Sequence, residues 1–188
     1  MKTVLITGTS SGIGKETAIL FAQKGWNVIA TVRNAEHLTL FADVKNISTY
    51  ILDVRDKGSI GSCVKQVICD FGKIDALVNN AGVYTTGPLE TTSNEMIEDI
   101  VETNIKGVLY TTKIVIEHFR KNKTGLIVNI SSIAGRVTFP FQSIYHTSKW
   151  AIEGFSESLY YELQPLNIKV KIVEPGIDRK STRLNSSH

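Results

Sequence analysis

Val4-Leu5-Ile6-Thr7-Gly8-Thr9-Ser10-Ser11-Gly12-Ile13-Gly14 is the stretch whose reading decides the fold. An apolar run ends in three glycines and passes directly into a segment patterned as a helix, 13–24. The glycines let the backbone come close to a bound group, and the helix start offers free N–H groups and the positive end of its dipole. The spacing is Gly-x-x-x-Gly-x-Gly, not the commoner Gly-x-Gly-x-x-Gly. Glycines at such a joint also serve simply to make the turn, so the motif needs its surroundings.

Working outward, flat apolar runs rich in valine and isoleucine recur at 4–7, 27–32, 49–52, 76–79, 126–130 and 169–173. Each reads as a strand buried on both faces. Helical patterning fills 13–24, 57–71, 94–121 and 144–164, and Thr92-Ser93-Asn94-Glu95 has the form of a capping box. Gly25, Gly72, Gly125 and Pro165 punctuate the joints. Strand and helix in alternation predict a doubly wound parallel sheet in three α/β/α layers, because each right-handed crossover returns to the same sheet. Ligands of such sheets bind beyond the carboxyl ends of the strands.

A dinucleotide fold expects an acidic residue on the ribose about 20 residues past the glycines. Here that place holds Val32 and then Arg33. A guanidinium suits a 2′-phosphate through charge and paired donors, so NADP(H) is expected over NAD(H). The competing reading of Arg33 is an ordinary solvated arginine.

Bulk composition excludes several alternatives. The chain has 188 residues, 42% hydrophobic and 21% charged, which fits one globular domain. Of the formal charge of +3, much sits in 178–188, where Arg179, Lys180 and Arg183 face only Asp178. No basic stripe points to nucleic acid. Cys63 and Cys69 share one helix off a common face, and read as free thiols in a reducing compartment. The N-terminal apolar run is too short for a signal peptide, and no stretch approaches the ~20 apolar residues of a membrane span. A cytoplasmic protein is expected.

The motifs Thr7-Gly8-x-x-x-Gly12-Ile13-Gly14, Asp53-Val54, Asn79-Asn80-Ala81-Gly82, Asn104, Ser132, Tyr145-x-x-x-Lys149 and Pro175-Gly176 occur in order. In this the sequence closely resembles the short-chain dehydrogenase/reductase family, in its single-domain branch, over residues 3–177. The resemblance implies a Rossmann-type fold and a nicotinamide-dependent oxidoreductase. It places Gly8, Ser10, Ser11, Gly12, Ile13, Gly14 and Arg33 on the cofactor phosphates and Asp53 on the adenine amino group, with Val54 beside it. Asn80, Ala81 and Gly82 would line the adenosine ribose, and Pro175 and Gly176 the nicotinamide. Read from the residues alone, Asp53 serves equally well as the cap of the next helix.

The chemistry centres on Tyr145. Lys149 lies one helical turn on, so both side chains emerge on one face. A free phenol has a pKa near ~10; a neighbouring ammonium and the oxidised cofactor lower it toward operating pH. Ser132, at the end of the fifth strand, is placed to hold the substrate oxygen, with Ser131 as its competitor. The resemblance adds that Lys149 holds the nicotinamide ribose and that Asn104 anchors a water of a proton relay. The expected reaction is hydride transfer between NADP(H) and a carbonyl or secondary alcohol. The alternative is a non-catalytic cofactor-binding protein, or an inactive fragment of the enzyme. No metal site is expected.

Residues 136–142 and 83–89 are expected to wall a pocket for an apolar or bulky substrate. By resemblance, a homodimer or homotetramer would form through the helices holding 94–121 and 144–164. Family members continue past Pro-Gly with a threonine, a substrate lid, a helix and a seventh strand. Here the threonine position is Lys180, and 178–188 matches, residue for residue, the translation of a common sequencing-library adapter. The domain is therefore expected to occupy 1–177, lacking the last strand and the lid, with 178–188 an unstructured artefact.

Overall fold

β-branched runs form strands wherever glycine or a polar turn ends them, and this computed structural model describes residues 1–176. The readings placed on Ile177, Lys180 and the tail 178–188 lie outside the described residues. The order is β1 (Thr3–Ile6), α1 (Gly12–Gln23), β2 (Asn27–Val32), β3 (Ile47–Ile51), α2 (Lys57–Phe71), β4 (Ala76–Asn79), α3 (Asn94–Ile100), α4 (Gly107–Asn122), β5 (Gly125–Ile130), α5 (Ser143–Leu163) and β6 (Ile168–Val173). The strands form one 6-stranded parallel sheet in the order β3-β2-β1-β4-β5-β6. Successive crossovers run outward in opposite directions from β1 and β4, so a crevice opens between those two carboxyl ends.

Two apolar layers flank the sheet. One face packs Leu5, Ile29, Leu77 and Ile127 against α2, α4 and α5, with Phe119 fully buried. The other packs Val4, Ile6, Val28 and Val78 against Ala18 and Ala22 of α1. Each fully buried aliphatic side chain contributes about 1.5–3 kcal/mol of transfer free energy. Cover thins toward the far edge, where Leu126, Val128 and Ile130 are only half-buried and Val173 is exposed.

The long helix expected over 94–121 is interrupted. Val101–Lys106 winds as a π-helix between α3 and α4. Asn104 lies inside it, and wide turns of this kind accompany functional sites. The capping box also shifts by one residue. Ser93, not Thr92, is the N-cap of α3 and accepts from Met96 N at 3.3 Å. Thr92 instead donates its hydroxyl to the Pro88 carbonyl at 3.0 Å. With Ser93 as cap the third helical position is Met96, so the reciprocal glutamate bond of the box does not form.

Candidate active site

The glycine loop is held from beneath by β4. Thr7 Oγ1 accepts from the backbone N–H groups of Asn80 and Ala81, both at 3.0 Å, while the Asn80 amide donates to the carbonyls of Thr7 and Gly8 at 3.0 and 2.7 Å. Gly8 sits at φ +69°, and a Cβ there would lie 2.7 Å from Ala81 Cα. At Gly14 a Cβ would run into the Asn80 side chain and the Gly8 carbonyl. These absent side chains let β1, β4 and α1 converge closely enough to aim the first turn of α1 outward.

That first turn carries no acidic residue, and its N-cap, Ser11, makes no side-chain capping bond. Its N–H donors are thus left toward a cleft of about 490 Å³. A donor set of uncapped amides with no opposing carboxylate fits a pyrophosphate. Along the cleft, Ser10, Ser11, Ile13, Gly14, Arg33 and Asp53 lie on the β1–β3 side. Asn80, Ala81 and Gly82 lie at its centre, and Ser132, Tyr145, Lys149, Pro175 and Gly176 toward β5 and β6, with Gly8 and Val54 completing the wall. Of the cofactor-binding and catalytic residues expected at the site, only Gly12 and Asn104 do not line it, and of the expected substrate walls only Val83 and Tyr84 do.

The alternative reading of Asp53 as a helix cap is corrected. Asp56 caps α2, accepting from Gly58 N at 2.7 Å. Asp53 faces the cleft, where the Arg55 guanidinium grips it through Nε and Nη2 at 3.1 and 2.9 Å. Hydrogen bonding from Arg55 holds the Asp53 carboxyl below its usual range against the opposing effect of burial, and Arg33 adds a weaker pull in the same direction. Arg55 also reaches Asp99 of α3 at 3.0 Å. Arg33 is exposed and forms no ion pair among the described residues.

On the β4–β6 side, the Ser132 hydroxyl accepts from Ala134 N at 3.1 Å. Lys149 Nζ donates to the Ile130 carbonyl at 3.0 Å and stands 5.6 Å from the centre of the Tyr145 ring. Burial brings Lys149 down to about 8, with Glu153 opposing. The sequence led us to expect Lys149 to lower the Tyr145 pKa. In the structure burial raises it and Ser132 draws it back down, while Lys149 Nζ stands over the Tyr145 ring and donates to a main-chain carbonyl. Of the two candidate serines, Ser132 is the one that lowers the Tyr145 pKa. Ser131 is buried, its hydroxyl unpartnered.

Asn104 is buried behind the cleft. Its amide accepts from Val83 N at 2.8 Å and donates to the Val83 carbonyl and to Ser148 Oγ, at 2.8 and 3.1 Å. It therefore braces the wall loop against α5. Deeper still, Asn79 donates to Thr112 and Asn129 at 2.9 and 2.8 Å, and Asn129 to Ser156 at 2.8 Å.

One further residue, His146, carried no expectation from the sequence. His146 Nε2 accepts from Phe139 N at 2.7 Å, so its Nδ1 carries the proton donated to the Ala134 carbonyl, also at 2.7 Å. This pins the loop between Ser132 and Tyr145, and its position next to Tyr145 was the available signal. Tyr84 meets the Tyr145 ring edge-to-face at 4.9 Å. Around it Phe141 accepts from Gly87 N at 2.7 Å and from Thr86 Oγ1 at 3.2 Å, joining the two expected pocket walls. Among the described residues no group of acidic, histidine or cysteine side chains could hold a metal, and no helix is long and apolar enough to cross a membrane. Cys63 and Cys69 are both free.

Comparison with known proteins bears on the same residues. A family model described as short chain dehydrogenase matches residues 2–187. The chain is 39% identical over 173 residues to a 3-ketodihydrosphingosine reductase of Bacteroides thetaiotaomicron, covering 92% of this chain and 62% of that protein. It is 38% identical over 180 residues to the 3-oxoacyl-[acyl-carrier-protein] reductase FabG of Thermotoga maritima, covering 93% and 73%. The chain thus spans less than two thirds of the first relative's length. Among solved structures, ElxO with NADP bound superposes with a TM-score of 0.89 at 37% identity, covering 94% of this chain and 73% of that one.

Proposed function

We propose that this chain, which belongs to the short-chain dehydrogenase family of oxidoreductases, binds NADP(H) and passes a hydride between it and a carbonyl or secondary alcohol. The observation that carries this reading is the convergence of Ser132, Tyr145 and Lys149 on one cleft that also holds the uncapped first turn of α1. When bound, the cofactor supplies or accepts the hydride.

The chain's own residues hold and time the reaction. The first-turn amides at Ile13 and Gly14, with Ser10 and Ser11, hold the pyrophosphate, and Arg33 takes the 2′-phosphate. Support for Arg33 is that it forms no ion pair among the described residues, beside an Arg55 whose charge Asp53 and Asp99 already balance. Asp53 and Val54 flank the adenine, Asn80, Ala81 and Gly82 the ribose, and Pro175 and Gly176 the nicotinamide.

Tyr145 Oη donates its proton to the substrate oxygen in reduction and takes one back in oxidation. Ser132 Oγ–H bonds the same oxygen and stabilises its developing charge. With a pKa of about 8, Lys149 is largely charged at neutral pH, so it favours the phenolate as the proton leaves. Asn104 acts as a positioning residue, fixing Val83 against α5. Val83 and Tyr84 line the cleft, and Val137 and Phe141 are exposed on the segment before α5, which supports a bulky apolar substrate. Exposed Trp150 and Tyr161 on α5 support pairing of subunits through that helix.

The test is NADPH oxidation against a panel of carbonyls, with the wild type and Tyr145→Phe. Removing the proton donor is expected to lower turnover by about 100- to 10,000-fold. Turnover unchanged in the variant would overturn the mechanism.

A further inference from the structure

Arg136 lies just past the short helical turn Ile133–Gly135 that follows Ser132, at the start of the segment expected as a substrate wall but not in the lining of the cleft. Its guanidinium touches three carboxylates on two other elements. Nη2 is 3.1 Å from Glu153, Nη1 is 3.4 Å from Glu157, and Nε is 3.0 Å from Glu174. Glu153 and Glu157 lie on α5, one and two turns beyond Lys149. Glu174 immediately precedes Pro175 and Gly176. One side chain therefore joins the loop of Ser132, the helix of Tyr145 and Lys149, and the strand end that lines the far part of the cleft.

Glu153 gives the arrangement its necessity. It is 4% exposed, and among the described residues neither carboxylate oxygen has a hydrogen-bond partner. A carboxylate removed from water without hydrogen bonds must be compensated by charge, and Arg136 is the cation in contact with it. Space is equally constrained. A Cβ on Gly135 would lie 2.8 Å from Ser131 Oγ and 2.9 Å from Glu153, so the loop rests directly on this carboxylate. Two main-chain bonds run beside the clamp, from Ser131 N to the Val173 carbonyl at 2.8 Å and from Ile133 N to the Pro175 carbonyl at 3.0 Å.

We propose that Arg136 is a positioning residue for hydride and proton transfer, locking Ser132, α5 and the Pro175-Gly176 segment into one register through Glu153, Glu157 and Glu174. Its part in the reaction rests on the function proposed above; its part in the architecture does not. The oxygen-holding serine and the proton-donating tyrosine come from separate elements, and a misplacement of about 1 Å can cost about 100-fold in rate.

The experiment compares the wild type with Arg136→Met, which keeps the apolar stem, and Arg136→Lys, which keeps the charge. Backbone amide exchange is read without cofactor, and NADPH-dependent turnover with it. Arg136→Met should speed exchange at Ser131 and Ile133 about tenfold while β1 stays protected, and lower kcat by about 10- to 100-fold with a smaller change in KM. Arg136→Lys should recover most of both. Wild-type exchange at Ser131 and Ile133 in Arg136→Met would overturn the proposal. So would faster exchange with unchanged kcat, loss of protection throughout β1, or no recovery with lysine. A wild type that exchanges as expected but turns nothing over overturns the function reading, and exchange alone then decides the clamp. Should Arg136→Met not fold, Glu174→Gln removes one exposed arm and is judged by the same readouts.

Discussion

The part of the cleft over β1–β3 offers its ligand mostly main chain, whereas the part over β4–β6 offers side chains. In the first, residues are missing where atoms would obstruct: Gly8 and Gly14 leave room for Ala81 and Asn80. In the second, groups are buried and tied: Lys149 to Ile130, Asn104 to Val83 and Ser148, His146 to Ala134 and Phe139. A ligand common to a whole family can be held by amides that every sequence possesses. Proton transfer at one atom requires particular functional groups at fixed angles, and these need a supporting network. The main-chain half should thus be brittle to added atoms and the side-chain half to altered charge.

Adding a methyl at Gly8 tests the first statement most severely. The alanine would have to hold φ near +69° with its Cβ 2.7 Å from Ala81 Cα, against backbone that has no flexible end to yield. Left-handed strain alone costs about 1–3 kcal/mol, and displacing the Ala81 main chain adds to it. Gly8→Ala is expected to lower stability in urea by at least that range and to abolish NADPH binding by fluorescence titration. A variant binding NADPH as tightly as the wild type would remove the close approach as the basis of this half.

Charge in the other half is tested by pH. Burial brings the Lys149 pKa to about 8 in the folded chain, against an ordinary value of 10.5. Between those values the unfolded chain binds more protons, so the lysine's contribution to stability rises with pH across that window. Relative to Lys149→Met, the wild type should gain about 2–3 kcal/mol from pH 8 to 10.5 in urea unfolding. Referencing to the variant cancels the opposite trend from Cys63, whose buried thiol is raised to about 12 and whose contribution falls above its ordinary 9.0. Parallel pH curves for the two proteins would mean that Lys149 is solvated as a surface lysine is.

The same contrast decided how much could be read from the residues. Glycines between a strand and a helix mark a main-chain site once the motifs around them agree, and the six strands follow from Val and Ile runs that needed no partner to be visible. Ser132, Tyr145 and Lys149 were legible only as a set at fixed intervals. Their supports were not. Asn129 and Ser156 meet through space, His146 looks like any polar residue on a helix, and the π turn at Asn104 has no periodic signature that a helix lacks. Arg55 likewise reads as a surface arginine until Asp53 and Asp99 are seen on either side of it.

In the function proposed above, Arg33 is the side chain by which the main-chain half would choose between cofactors, and it carries the smallest expected effect. Amides cannot distinguish a 2′-hydroxyl from a 2′-phosphate at a distance; an exposed guanidinium can, by charge and paired donors. Because the site is open to water, its contribution is screened, and a discrimination of about 1.4 kcal/mol, or tenfold, is the appropriate scale. Arg33→Asp should invert the charge there and lower the ratio of NADPH to NADH affinity by at least that factor, leaving Tyr145 chemistry unchanged in kcat. An unchanged ratio would assign the selection elsewhere, with Arg55 the next cation along the same wall. Arg55→Met would then shift the ratio, and would also raise the Asp53 pKa that Arg55 now holds down.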